Sequence, residues 1–321
     1  MRKTLPLPIA LALALFVAMS APAPLAAQHH HDAKADSVVA VATQAIGTLR
    51  HPDSLRRAGW NALGFGGGVK DLSPFQGQHW INGPRFAVPA PLEVSKPNFL
   101  MYLELGDSLV PIGVAYTNRI PADAPMPDSL VGSPAEWHAH VFCRSIPGEG
   151  TVLADGIEDC NQRGGLPAPN KIAMIHTWTV PNPDGPYAHD NPALPYIATG
   201  LKAPESMKGE DRLFGLALGE TYGAKLFIAH RIERDLRRLD TAHVGLKSLE
   251  QIRVPMRQLV TELRTAEAKG DKKKFDALKV QLIGKWNLLA DRYRELAATP
   301  EMKARFDHEL TQALDRPHQH M

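Results

Sequence analysis

The chain has 321 residues, with 36 Lys+Arg against 34 Asp+Glu and a formal net charge of +2. That length suits one large or two modest domains, and 44% hydrophobic content is enough to build a core. The near balance of charge excludes the concentrated basic footprint of a nucleic-acid binder, and general disorder is excluded as well.

Arg2 and Lys3 precede an apolar stretch from Leu5 to Met19, and small residues with two prolines follow through Ala27. This is the order of a secretory signal peptide. The run is interrupted by Pro8 and is shorter than the roughly 20 residues a spanning helix needs, so a membrane anchor is not expected. The spacing therefore predicts a signal peptide over residues 1–27, a periplasmic or extracellular location and no membrane span in the mature chain. Cleavage after Ala27 places His30 third in the mature chain, and cleavage after Ala26 places His29 there. A free amine, two amides and that imidazole form a square-planar set suited to Cu(II) or Ni(II).

Residues 28–204 read as an α+β domain. Val38, Val41, Ala42 and Ala45 carry a helical period that begins at Ala33 and breaks at His51-Pro52, and a short second helix starts at Ser54. The run Gly64–Gly68 follows no strand and precedes no Gly-Lys-Ser/Thr, so it reads as a connection rather than a phosphate loop. Asn98–Leu105 and Val110–Tyr116 are β-rich and flank Gly106-Asp107-Ser108, a hairpin signal. Glu136–Cys143 and Lys171–Val180 are two further strands. Alternation puts Glu136, His138, His140 and Phe142 on one face of the first, and Ile172, Met174, His176 and Trp178 together on the second. The only cysteines, Cys143 and Cys160, bracket a Gly/Asp-rich stretch and are expected to pair in an oxidising compartment.

Residues 205–321 read as a helical domain. Met207–Ala242 predicts one long helix or two, then come Leu246–Lys269 and Lys272–Ala298, joined at Gly270, and Pro300 opens a last helix. Gly215, Gly219 and Gly223 share a helix face, which predicts a close helix–helix approach. The fold class expected is α+β: a small, mainly antiparallel β domain with N-terminal helices, followed by a helical C-terminal bundle or arm.

The 14 histidines are about double ordinary usage, and their placement carries the only visible chemistry. A His-x-His on a strand sets two imidazoles on one face about 6.5–7 Å apart, which lets a strand give two ligands to one ion. The candidate metal ligands are His79, His138, His140 and His176, with Glu136 as a carboxylate that orients an imidazole. Zinc, copper or nickel fits such a set. A cupin would want a glutamate shortly after His140, and none is there. His-Glu-x-x-His and Gly-x-Ser-x-Gly are also missing, so serine hydrolysis has no support. The expected function is an exported protein that binds a transition metal or small ligand. The alternatives are a metal-dependent enzyme (hydrolase or oxidoreductase), or a structural or partner-binding protein whose helical part does the work.

Over roughly residues 36–195 the chain resembles a family of uncharacterised secreted bacterial proteins. The shared marks are Gly59-Trp60; Gly77, His79, Trp80 and Asn82; Tyr102 and Tyr116; His176 and Trp178; and Asn182-Pro183-Asp184-Gly185. This sequence departs from them at Gly83, where the family tends to have proline, and in the 35-residue tract between His140 and His176. The resemblance implies a common fold and a secreted location, and no reaction.

Overall fold

The β-rich runs of the central third pair into one seven-stranded antiparallel sheet, curled into a half-barrel. The computed structural model describes residues 33–63, 72–87, 92–127, 129–130, 133–134, 137–146, 150–154, 156–162, 164–239 and 243–315. The expected signal peptide, the N-terminal histidines, Gly64–Gly68 and Glu136 lie outside them. The elements run α1 (Ala33–Ile46), α2 (Pro52–Arg57), β1 (Trp60–Ala62), β2 (Gln78–Asn82), α3 (Gly83–Ala87), β3 (Phe99–Leu105) and β4 (Ser108–Pro121). A small hairpin, β5 (Ser129–Leu130) and β6 (Ser133–Pro134), precedes β7 (His138–Ile146), β8 (Gly150–Ala154), α4 (Ile157–Gln162) and β9 (Leu166–Trp178). The sheet order is β1-β2-β3-β4-β9-β7-β8, so the last long strand inserts between the hairpin β3–β4 and the strand that carries His-x-His.

Each strand's alternation divides the sheet into two cores. On the convex face Trp80, Leu100, Tyr102, Val114, Tyr116, Ala173 and Ile175 pack against Val38, Ala42 and Ile46 of α1, spaced one helical turn apart. On the concave face Phe99, Met101, Ala115, Met174 and Trp178 pack against Leu194, which opens α5 (Leu194–Thr199). The pairing of β3 with β4 shifts at Met101/Tyr102, and that of β7 with β9 shifts between Val141 and Cys143. Such bulges increase local twist and help a sheet to curl. Gly113 allows a further close approach, since a Cβ there would lie 2.6 Å from the Thr177 carbonyl of β9.

Cys143 of β7 and Cys160 of α4 form a buried disulfide. It closes a loop of sequence separation 17, and a loop of that size stabilises by about 3 kcal/mol in the chain-entropy model. Reduction should therefore lower the urea midpoint of the intact protein; equal midpoints with and without reductant would refute that contribution.

The helical part consists of α6 (Glu210–Tyr222), α7 (Phe227–Leu239), α8 (Val244–Ala268), α9 (Lys272–Leu296) and α10 (Pro300–Asp315). Met207–Ala242 thus resolves into two helices, split where Gly223 takes a left-handed φ of 97° and caps α6. The three-glycine face does not meet a helix. Gly215 faces the ring of Phe75 and Gly219 faces Pro74, so the missing side chains admit the turn before β2 rather than a neighbouring helix. Phe75 and Tyr196 enter the same apolar core as Leu249, Met256, Leu282, Trp286, Leu289 and Phe306. Within it, Arg253 of α8 reaches Glu220 of α6, Glu233 of α7 and the Tyr293 hydroxyl of α9. Burial alone would raise Glu233, but Lys225 and Arg253 hold it down to about 2, whereas burial outweighs the same cations at Glu220 and pushes it up. Among the described residues no helix is long and apolar enough to cross a membrane.

Candidate functional site

The strand register puts all four predicted histidines on the concave face. His138 pairs with Met174 and His140 with Ile172, while His176 pairs with Ala115 and His79 with Met101, each one step or two from its neighbours on the same side. His79 and His176 belong to strands three places apart in the sheet, which a flat sheet would hold about 14 Å apart. Curling brings their Nε2 atoms to 3.1 Å. Small residues at Gly113 and Ala115 on the intervening β4 leave room for the two rings to meet.

The ring centroids are 5.1 Å apart for His79 and His176, 4.9 Å for His176 and His138, and 4.9 Å for His138 and His140. Two imidazoles bound to one tetrahedral zinc, each nitrogen about 2.0–2.1 Å from it, have nitrogens about 3.3 Å apart and centroids about 5.2 Å apart. The rings therefore stand at ligand spacing. Among the described residues, however, no three His, Cys, Asp or Glu side chains stand in finished ligand geometry around one point.

A fifth imidazole, His189, joins from the loop between β9 and α5. Its ring is 4.0 Å from that of His138 and stacks on His176 at 5.4 Å. The loop is built to double back. Asn182 turns it by accepting from the Asp184 amide, and Gly185 takes a φ of 108°. The Trp178 amide and indole then donate to the carbonyls of Pro186 and Ala188, and Asn182 donates to that of Asp190. Asp184 is tied to the buried Arg212 of α6 at 2.6 Å. Asp190 accepts from Gln76 at 3.0 Å and lies 3.1 Å from His189 Nδ1.

Hydrogen bonds select the nitrogens. His176 Nδ1 lies 2.5 Å from the His189 carbonyl, which can only accept, so Nδ1 carries the proton and Nε2 of the neutral ring is a bare lone pair. His79 turns its Nε2 to His176, and the neighbouring Gly77 backbone weakly favours the protonated ring. Burial first, and then His140 and His189, pull His79 down to about 3. Burial and the neighbouring His79 and His189 also hold His176 well below the usual range. Burial thus favours the neutral form of both rings, whose Nε2 atoms meet at 3.1 Å.

No protein-family profile, curated protein or solved structure matches the chain. Sequence reasoning did not place His189, Asp190 or Gln76 at this site. All three lie in Pro- and Gly-punctuated loops, where no periodicity assigns a face. The available signal was His189 lying shortly after a His-x-Trp strand. The described cavity of about 400 Å³ lies elsewhere, between α5, α6 and α8, beside Arg257 and Arg264.

Proposed function

We propose that this is an exported metal-binding protein, holding one divalent transition ion through imidazoles drawn from His79, His138, His140 and His176, with His189 beside them. The observation that carries the reading is the pair of Nε2 atoms at 3.1 Å on two imidazoles, one of which, His176, is buried and has its Nδ1 at the His189 carbonyl. Either one Nε2 carries a proton and donates it to the other, or a cation lies between two lone pairs. The carbonyl of His189 then acts as the kind of outer group that fixes tautomer and ring direction in metal sites. An all-imidazole set suits zinc, copper or nickel. Export is supported by the order of residues 1–27 and by the Cys143–Cys160 disulfide, a bond that persists in oxidising compartments.

The test is elemental analysis of purified protein after exposure to zinc, copper and nickel and removal of loose metal. One ion per chain is the expected result, and a substoichiometric content for all three would overturn the reading. One observation favours an enzyme as a second reading. His189 and Asp190 form a buried imidazole–carboxylate pair against the cluster, as a general base beside a metal would be. Turnover of an activated ester by the loaded protein separates the two.

A further inference from the structure

We propose that residues 181–191 form a lid over the imidazoles, with Arg212 of the helical part as its latch. This goes beyond the metal reading and holds whether or not the imidazoles carry an ion.

The segment leaves β9 and returns to its own starting point. Asn191 Nδ2 donates to the Pro181 carbonyl at 3.0 Å, which closes the neck. The Asn191 amide donates to the Phe75 carbonyl at 2.8 Å, and Asn191 Oδ1 accepts from the Ala193 amide, so the neck is pinned to the turn before β2 and to the start of α5. A loop whose ends are held together apart from its body is an Ω-loop. Its body can lift without displacing the elements on either side of the neck.

His189 is the part of the body that covers the site. Its ring lies 4.0 Å from that of His138 and stacks on that of His176 at 5.4 Å, and both of those rings are buried. Lifting the body withdraws this ring, together with the His189 carbonyl that meets His176 Nδ1.

The body is held on two sides by different parts of the chain. Toward the sheet, the Trp178 amide and indole hold the carbonyls of Pro186 and Ala188, and Gln76 holds Asp190. Toward the helices, Asp184 meets Arg212 at 2.6 Å, with charge on both partners. The Arg212 side chain is 2% exposed and that of Asp184 is 32% exposed, so the latch has a buried half and a surface half. The buried half is fixed without the lid. Arg212 Nε donates to the Met207 carbonyl at 3.0 Å, Nη1 donates to the Ala313 carbonyl at 3.4 Å, and the guanidinium lies over the Phe75 ring at 5.8 Å. The cation therefore stays in place when the carboxylate leaves, and the carboxylate leaves toward water. Gly185, beside Asp184, has a φ of 108° and nothing within 4 Å of where a Cβ would stand, so the chain can pivot next to the latch without collision. Because Arg212 also holds Ala313 in the last turn of α10, the seating of α10 and the closure of the lid share one guanidinium.

The probe is diethyl pyrocarbonate, which acylates accessible neutral imidazoles, applied to the intact metal-free protein at pH 7 and read histidine by histidine by peptide mapping. Reaction at a covered group follows the population of the open form. A hydrogen bond between charged partners is worth about tenfold or more in that population, so Asp184→Ala should raise the acylation rates of His138 and His176 by that factor. Asp184→Asn, which keeps an acceptor and loses the charge, should fall between Asp184→Ala and the parent. His230, half-buried in the helical part, reports general unfolding and should keep its parent rate, and the exposed His308 should react readily in every variant. Unchanged protection of His138 and His176 in Asp184→Ala, or a rise at His230 in step with theirs, would overturn the lid. No metal enters the measurement, so its outcome and that of the metal analysis are independent.

Discussion

Replacing His176 with alanine is expected to abolish stoichiometric metal retention. Its ring stands between His79 and His138, with centroids at 5.1 and 4.9 Å, and its Nδ1 is anchored by the His189 carbonyl. Loss of an outer partner alone weakens metal sites by about 10–100-fold, and the loss of a ligand exceeds that. His176 is 1% exposed, so its removal also leaves a cavity that lowers stability. His140→Ala, at the open edge of the cluster, therefore serves as the variant in which folding is spared. It too should lose the ion, as should His138→Ala, while His308→Ala on the exposed side of α10 should keep it. Elemental analysis of folded variants decides the matter, and one ion per chain in both His176→Ala and His140→Ala would sink the assignment.

What was legible in the sequence followed from periodicity. Alternation in Glu136–Cys143 and Lys171–Val180 predicted which side chains share a face, and the register of β7 on β9 sets His138, His140 and His176 together. The helices after Pro204 were legible because apolar residues recur at three and four positions, and their buried stripes include Leu249, Met256 and Leu263 on α8. Pairing of Cys143 with Cys160 followed from there being no other partner and is present. What was not legible depended on long-range geometry. Nothing local states that β9 inserts between β4 and β7, or that the sheet curls enough to bring His79 across three strands. His189 is positioned by the hydrogen bonds of Asn182 and Trp178 rather than by a pattern, and the glycines of α6 admit Pro74 and Phe75 of a distant turn. The purpose of Arg253 among Glu220, Glu233 and Tyr293 was equally invisible, because on α8 it reads as one more surface charge.

The metal-free protein is expected to lose stability steeply between pH 6.5 and 5. Burial pulls His79 down to about 3 and His230 to about 4, and it places His176 well below the usual value. An unfolded chain returns each to about 6.5. Between the folded and unfolded values the unfolded state binds more protons, so stability is fully present above pH 6.5 and is lost as pH falls through that window. Each histidine contributes a slope of about 1.4 kcal/mol per pH unit, so three at pH 5 remove on the order of 6 kcal/mol, comparable with the whole stability of an ordinary domain. Glu220 and Asp184, both raised chiefly by burial, act in the opposite direction and reduce the net slope. Glu233, held to about 2, adds its own loss only below about pH 4.5. An ion bound to His79 and His176 must be released before they protonate, so loaded protein should be more stable at pH 7 and fall more steeply in acid. Thermal unfolding of metal-free protein at pH 7.5, 6.5, 5.5 and 5.0 measures this directly. A Tm that stays level across the series would show that these imidazoles are not held neutral in the folded chain.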